Sequence, residues 1–315
     1  MRRLDPFETS LALHAIDASR RIESRAAAGL PPHTLMQRAG LSVARLAIAI
    51  APHARRVWIA AGPGNNGGDG FEAALHLRAA GRDVRVAAFG DPARLPADAA
   101  AARARAVAAG VRIETAPPAD PPDLAIDALL GLGATRPPDD AMRPLLDTIR
   151  RSRGARLAVD LPTGLDGGTG ERAGALAVEA THTLALLTLK PGLFTGAGRE
   201  LAGELWFDDL GADAARAAEA ADAWCTGHDL AMAVWPARGH GGHKGRYGDV
   251  VAVGGAPGMG GALVLAARSA LAGGAGRVFA CALDASWPGV DLLAPELMWR
   301  PTHWREPSVL DAATV

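Results

Sequence analysis

The segment AAGPGNNGGDGF, residues 60–71, carries two amides and a carboxylate, Asn65, Asn66 and Asp69, packed among glycines. Gly62, Gly64 and Gly67 satisfy the GxGxxG spacing. Such glycines let the backbone turn tightly and bring a phosphate to the free amides at a helix N-terminus. A dinucleotide fold also wants an acidic residue at the end of the second strand, about 20 residues on, to hold a ribose. The candidate, Asp91, comes late and follows a glycine. A Rossmann NAD-dependent dehydrogenase therefore stands as one alternative. A plain turn is another, because Asn, Gly and Asp all favour reversals. Two further carboxylates sit at the ends of apolar runs, Asp127 in LAIDALLGLG and Asp160 in LAVDLPTGLD. Open α/β sheets bind ligands at the carboxyl ends of their strands, so three polar strand ends point to one crevice.

Those strand ends need a sheet to hold them. From Arg56 the apolar run VWIAAG, a Gly-rich turn, the helical stretch FEAALHLRAAG and the run VRVAAF make a βαβ unit. The alternation continues through PADAAAARARAVAAG, VRIET, LAIDALLG, MRPLLDTIRRS and RLAVDLPTG, with HTLALLTL and GELWFDDL as two more strands. Strands alternating with helices imply a mostly parallel sheet covered on both faces, a Rossmann-like three-layer αβα sandwich. Residues 11–50 read as two helices split at Gly29, Pro31 and Pro32, a cap or interface element before the sheet. Periodicity is lost after Gly211, which places a domain boundary near Cys225 and divides the chain into 1–225 and 226–315. A second βα start follows: DVVAVGG, APGMGG, ALVLAARSALAGG and RVFACAL. Beyond Trp287 there is room for one more helix and an incipient strand, which leaves a sheet edge unpaired and a face poorly covered.

Composition narrows the partners. With 33 basic and 34 acidic residues, the formal net charge of −1 offers no field to collect nucleic acid or an anionic membrane. No apolar window is long enough for a membrane span, and MRRLDPFETS lacks the apolar stretch of a signal peptide. Cys225 and Cys281 form no CxxC pair, which fits a reducing compartment, so a cytoplasmic location is expected. His240 and His243 form an HxxH in a Gly-rich linker without partner ligands, and read as solvated histidines rather than a zinc site.

The combination LMQRAG at 35–40, GPGNNGGDGF at 62–71, IDALLGLGATRP at 126–137, VDLPTGLDG at 159–167 and TLKPG at 188–192 resembles the NAD(P)HX epimerase family, also known as the YjeF N-terminal family. The resemblance implies isomerase activity in repair of nicotinamide nucleotides, interconverting the R and S forms of hydrated NADH or NADPH. It implies substrate contacts at Asn65, Asn66, Gly67, Gly68 and Asp69, at Gly131, Leu132, Gly133, Ala134, Thr135, Arg136 and Pro137, and at Asp160. It also implies a potassium ion (K+) on Asn66, Asp127 and Thr163, and a homodimer. Oxygen ligands of this kind suit a hard monovalent cation. Arg136 has the planar fork that suits the cofactor's phosphates. Lys190 reads either as a phosphate contact or as part of a surface ion pair. The substrate would be a carbinolamine that inverts through a flat iminium, with Asp160 as the expected catalytic acid and base. The alternative role for Asp160 is only to bind a ribose or ring hydroxyl. A catalytically silent nucleotide-binding module is the remaining alternative for the chain.

Residues 243–278 resemble the start of an ADP-dependent NAD(P)HX dehydratase, a lyase with a ribokinase-like fold, in which Ala262 would touch substrate. The match continues weakly through APELM at 294–298 and stops. The downstream glycine-rich phosphate loop, an HPGE-like segment and a GTGD-like segment with its aspartate are missing. The expectation is an incomplete ribokinase-like α/β fragment, truncated, without an ADP or ATP site and without dehydratase activity of its own.

Overall fold

A strand buried on both faces of a sheet must be apolar along its whole length, and the central runs of this chain are. The structure, a computed structural model, describes residues 1–5, 9–133, 136–234, 238–284, 286–287 and 289–301. The chain divides into two compact units, Met1–Val234 and Trp235–Val315.

The first unit runs β1 (Arg2–Arg3), β2 (Leu11–Leu13), α1 (Ile16–Ala28), α2 (Thr34–Ile50), β3 (Arg56–Ala61), α3 (Asn65–Ala79) and β4 (Asp83–Ala88). It continues α4 (Ala97–Ala108), β5 (Arg112–Glu114), β6 (Leu124–Ala128), α5 (Arg143–Arg151), β7 (Arg156–Val159) and β8 (His182–Leu186). Then come α6 (Gly198–Leu201), β9 (Glu204–Asp208), α7 (Asp213–Ala217), β10 (Ala223–Cys225) and α8 (His228–Ala233). Eight strands form one sheet in the order β1-β9-β8-β7-β6-β3-β4-β5, parallel throughout except for β1 against β9. The seven strands read from the sequence between Arg56 and Leu210 are all present.

Alternate residues of the central strands face opposite layers. Val57, Ile59, Leu124, Ile126, Leu157 and Val159 pack with Val43 and Leu46 of α2, Phe71 and Leu77 of α3, and Ala99, Ala102 and Ala106 of α4. Trp58, Ala60, Ala125 and Ala158 pack on the other side with Leu145, Leu146 and Ile149 of α5. Between α3 and α4, buried Glu72 is paired with Arg105, so a carboxylate inside the helical layer keeps a partner.

Two expectations are corrected here. The helix after β3 begins at Asn65 rather than Phe71, so most of the expected glycine-rich loop is the first turns of α3. Glycine has poor helix propensity, but packing overrides it: a Cβ on Gly67 would stand 2.0 Å from the Gly62 carbonyl oxygen, and one on Gly68 would stand 2.5 Å from Met36 Cε. The two compact units divide at 234/235. β10 pairs antiparallel with β2, a strand in a stretch read as helix, and Asp229 of α8 accepts hydrogen bonds from Ser10 N (2.7 Å) and Ser10 Oγ (2.8 Å). These contacts tie residues 223–229 to the start of the chain.

The second unit contains β11 (Asp249–Gly254), α9 (Gly260–Ala272), β12 (Arg277–Ala282) and β13 (Met298–Pro301), with the strands parallel in the order β11-β12-β13. The described residues between β12 and β13 hold no helix. Leu263, Ala267, Val278 and Ala280 form its small core, and Trp287 stacks on Trp299 at 5.1 Å. Among the described residues β11 pairs only with β12, and its Val250, Val251 and Val253 are exposed.

Candidate active site

The strand order reverses direction between β3 and β6: from β3 the chain runs outward to β4 and β5, then returns to β6 and proceeds to β7, β8 and β9. Connections leaving two neighbouring strands in opposite directions open a crevice at their carboxyl ends. A cavity of about 770 Å³ lies there. Its walls come from α1 (Ser19, Arg20, Glu23), the start of α2 (His33, Met36), the start of α3 (Asn65, Asn66, Asp69), the segment after β6 (Leu129–Gly133), Asp160 after β7, and Leu186, Leu187, Thr188 and Lys190 at and beyond the end of β8.

Gly62 makes the first wall possible. A Cβ there would lie 1.7 Å from the Leu129 carbonyl oxygen, so the chain leaving β3 can touch the chain leaving β6 only without a side chain. Gly64 then caps α3 in an extended conformation, and no side chain caps the helix. The first amides of α3 are free for a ligand, the arrangement that favours phosphate.

Under the cavity floor, Asp127 is 1% exposed and accepts from Thr163 N (2.8 Å), Thr163 Oγ1 (2.7 Å) and Leu129 N (3.2 Å). Desolvation pushes its carboxyl up to about 6, opposed by those three hydrogen bonds. Leu130 N donates to Thr163 Oγ1 (3.0 Å), and Asn66 abuts Gly131. Asn66, Asp127 and Thr163 thus converge on Leu129–Gly131. The Asn66 amide has both Oδ1 and Nδ2 buried without a hydrogen-bond partner. Such atoms cost roughly 1–3 kcal/mol unless something fills their valences.

Asp160 takes a left-handed backbone, φ 66°, with its N–H donating to Leu184 O (2.8 Å). That turn brings its carboxylate against Lys190, whose Nζ also donates to Leu186 O (2.8 Å) and Thr188 O (3.0 Å). Lys190 is 2% exposed. The surface ion pair expected from TLKPG is corrected to a buried one, and with three protons on three acceptors the ammonium has none left for a phosphate. Asp69 lines the same cavity. Burial pushes its carboxyl well above the usual range, and the neighbouring Asp160, Glu23 and Glu72 add to this. Glu23 is raised in the same way, by desolvation first and Asp160 second.

The structure gathers Asn65, Asn66, Asp69, Gly131, Leu132, Gly133 and Asp160 around one cavity, with Asp127 and Thr163 beneath it. Gly67 and Gly68 are buried packing positions of α3 outside that wall, and Arg136 and Pro137 are exposed beyond it. Ala134 and Thr135 lie outside the described residues. Ala262 is an exposed residue of α9 in the second unit. Sequence reading missed the contribution of the N-terminal helices. Glu23 and Arg20 of α1 reach the cavity, as does His33, whose Nδ1 lies 2.5 Å from Asp98 Oδ1. The polar residues of α1 repeat at helical spacing, but nothing in that spacing tells which end of the sheet the helix covers.

A doubly wound parallel sheet with amides, carboxylates and an uncapped helix N-terminus at its switch point defines an α/β protein built to hold a small molecule. The family described as YjeF-related protein N-terminus matches residues 32–192, and the chain belongs to it. Over 189 residues it is 40% identical to the NAD(P)H-hydrate epimerase of Bordetella pertussis, covering 59% of this chain and 83% of that protein. It is 35% identical over 295 residues to the bifunctional NAD(P)H-hydrate repair enzyme Nnr of Escherichia coli, covering 90% of this chain and 55% of that one. The chain spans about half the length of the bifunctional relatives it matches. The crystal structure of yeast ynu0 shares the fold, with a TM-score of 0.53 at 21% identity, covering 60% of this chain and 86% of the yeast chain.

Proposed function

We propose that the first unit interconverts the R and S forms of NAD(P)H hydrates. The observation that carries this reading is the cavity at the β3/β6 switch point, which brings an uncapped helix N-terminus together with the carboxyl groups of Asp69 and Asp160. The substrate is an anionic dinucleotide whose ring carbon bears a hydroxyl beside nitrogen. Inversion needs phosphate binding, a proton for the departing hydroxyl, and a base for the water that returns on the other face. The α3 amides serve the first need, and carboxyl groups lining the cavity serve the others. The likeness to the Bordetella pertussis epimerase, over most of that protein's length, supports the same chemistry.

The residues under the floor fit a potassium ion. Asn66 Oδ1 is an orphaned buried acceptor, Asp127 is a desolvated carboxylate, and Thr163 adds a hydroxyl, an all-oxygen set suited to a hard cation. Among the described residues no three His, Cys, Asp or Glu cluster as a metal-binding group. When bound, the ion would supply a fixed positive charge beside Asn66, Asp127 and Thr163.

The test is incubation with pure R-NADHX, with and without potassium, following both epimers by chromatography. We expect S-NADHX to form faster with the protein than without it, and faster still with potassium than with sodium. Epimerisation no faster than in buffer under either condition would sink the proposal.

A further inference from the structure

Three protons of Lys190 are committed to Asp160, Leu186 O and Thr188 O, so the Asp160 carboxylate is one half of a buried ion pair at the back of the cavity. Its Oδ1 already accepts from Lys190 Nζ and from Leu186 N (3.3 Å), which leaves Oδ2 as the oxygen open to a water. The inversion needs one group to deliver a proton and another to receive it. Asp69 lines the same cavity from the second turn of α3, and among the described residues its carboxyl group makes no hydrogen bond and no ion pair.

The charged groups facing Asp69 are mostly of its own sign. Glu23 comes from α1, Glu72 from α3 itself, and Asp160 from the end of β7. Lys190, on the segment after β8, is the opposing cation, and it is spent on Asp160. On the α4 side, Arg105 is paired with Glu72, and at the cavity rim Asp98 is paired with His33. A carboxyl group without a donor, held largely out of water with Asp160, Glu23 and Glu72 as its acidic neighbours, is more stable as the neutral acid. One carboxyl group held by an ammonium and another with no donor are unlike environments in one crevice, the pattern that divides an acid from a base.

We infer that Asp69 is the proton donor of this site, and that Asp160, positioned by Lys190, is the base. This inference rests on the epimerase reading and adds the direction in which protons move. Asp69 protonates the hydroxyl of the hydrate; the carbon–oxygen bond breaks as the ring nitrogen's lone pair forms the iminium, and water leaves. A second water adds to the opposite face, its oxygen forms the new bond, the iminium pair returns to nitrogen, and the surplus proton passes to Asp160. One proton has then moved from Asp69 to Asp160, and exchange with solvent resets the pair. The reverse reaction uses the same two groups with their roles exchanged. The expected role of Asp160 as both acid and base is thereby split between two residues.

The experiment is a pH–rate profile of R-NADHX epimerisation, from about pH 5 to about pH 9, for the wild type, Asp69→Asn and Asp69→Glu. The sign follows from the donor's role: the acid works while protonated, so wild-type kcat falls as pH rises through its raised pKa. Asp69→Asn keeps the side-chain volume and cannot donate a carboxyl proton. It should lose about 10²-fold or more in kcat with KM little changed, and its alkaline limb should vanish. Asp69→Glu should recover part of the rate and keep an alkaline limb. An Asp69→Asn protein with wild-type melting, wild-type kcat and an unchanged alkaline limb overturns the inference while leaving the epimerase reading intact. A wild-type protein with no epimerase activity removes both. If Asp69→Asn does not fold, the limb of Asp69→Glu decides: one unmoved from the wild type counts against Asp69 as donor.

Discussion

The two units of this chain use similar βα pieces and end with very different surfaces. In the first unit β3, β6 and β7 lie between two helical layers, and Ile59, Ile126 and Leu157 are fully buried. In the second unit one helix and three short strands share a small core, while Val251 is 47% exposed and Leu265 of α9 is 67% exposed. Apolar strands are therefore no guide to burial by themselves. VWIAA and VVAV have the same character, and what separates them, among the described residues, is the number of elements packed against each face. The cavity belongs to the unit in which the sheet is wide enough to have a switch point with strands on both sides.

This contrast can be broken or sharpened by substitution. The largest effect is expected from Ile126→Ala, in the centre of the eight-stranded sheet. Loss of a fully buried side chain there should cost about 2–5 kcal/mol. Hydrogen exchange would report it, with amides of β3 and β6 losing protection while those of β12 keep theirs. A smaller cost, about 1–3 kcal/mol, is expected for Gly62→Ala, whose new Cβ must displace the Leu129 carbonyl. That variant should lose turnover of R-NADHX out of proportion to its stability, because the wall carrying Leu129–Gly133 moves with the carbonyl; equal losses would mean that the contact is only structural. The smallest effect is expected in the second unit. Val251→Thr, on the exposed edge strand, should change stability by less than about 0.5 kcal/mol, read from the protection of β12 amides. A cost of several kcal/mol would show that β11 is covered in solution.

Much of the fold was legible because its signals are local. Runs such as LAIDA and RLAV are short, apolar and bounded by turn residues, and each forms the strand it suggests. The carboxylates at their ends were legible for the same reason, since a strand's end fixes which edge of the sheet a residue occupies. That Asn65 and Asn66 line the cavity was legible, but their conformation was not. Five glycines from Gly62 to Gly70 argue locally for a loop, and only close packing against Gly62, Met36 and Ala99 makes α3 begin at Asn65. Lys190 was open to two readings because nothing in TLKPG tells whether its ammonium meets water or Asp160. That is decided by the left-handed turns at Asp160 and Leu187. Glu23 and His33 went unnoticed because their place depends on how α1 and the start of α2 dock, a tertiary matter.

The adjacency of β3 and β6 also fixes when the cavity can exist. Ala61 and Ala128 are neighbours in the sheet, yet the whole of α3, β4, α4 and β5 lies between them along the chain. Contacts across so long a loop close late, after the local βα pieces have formed. During synthesis, therefore, the asparagines of α3 emerge well before the residues that will stand opposite them. The nucleotide proposed to bridge both walls would bind only the finished sheet, so its binding energy would stabilise the folded unit without guiding the assembly of its first half.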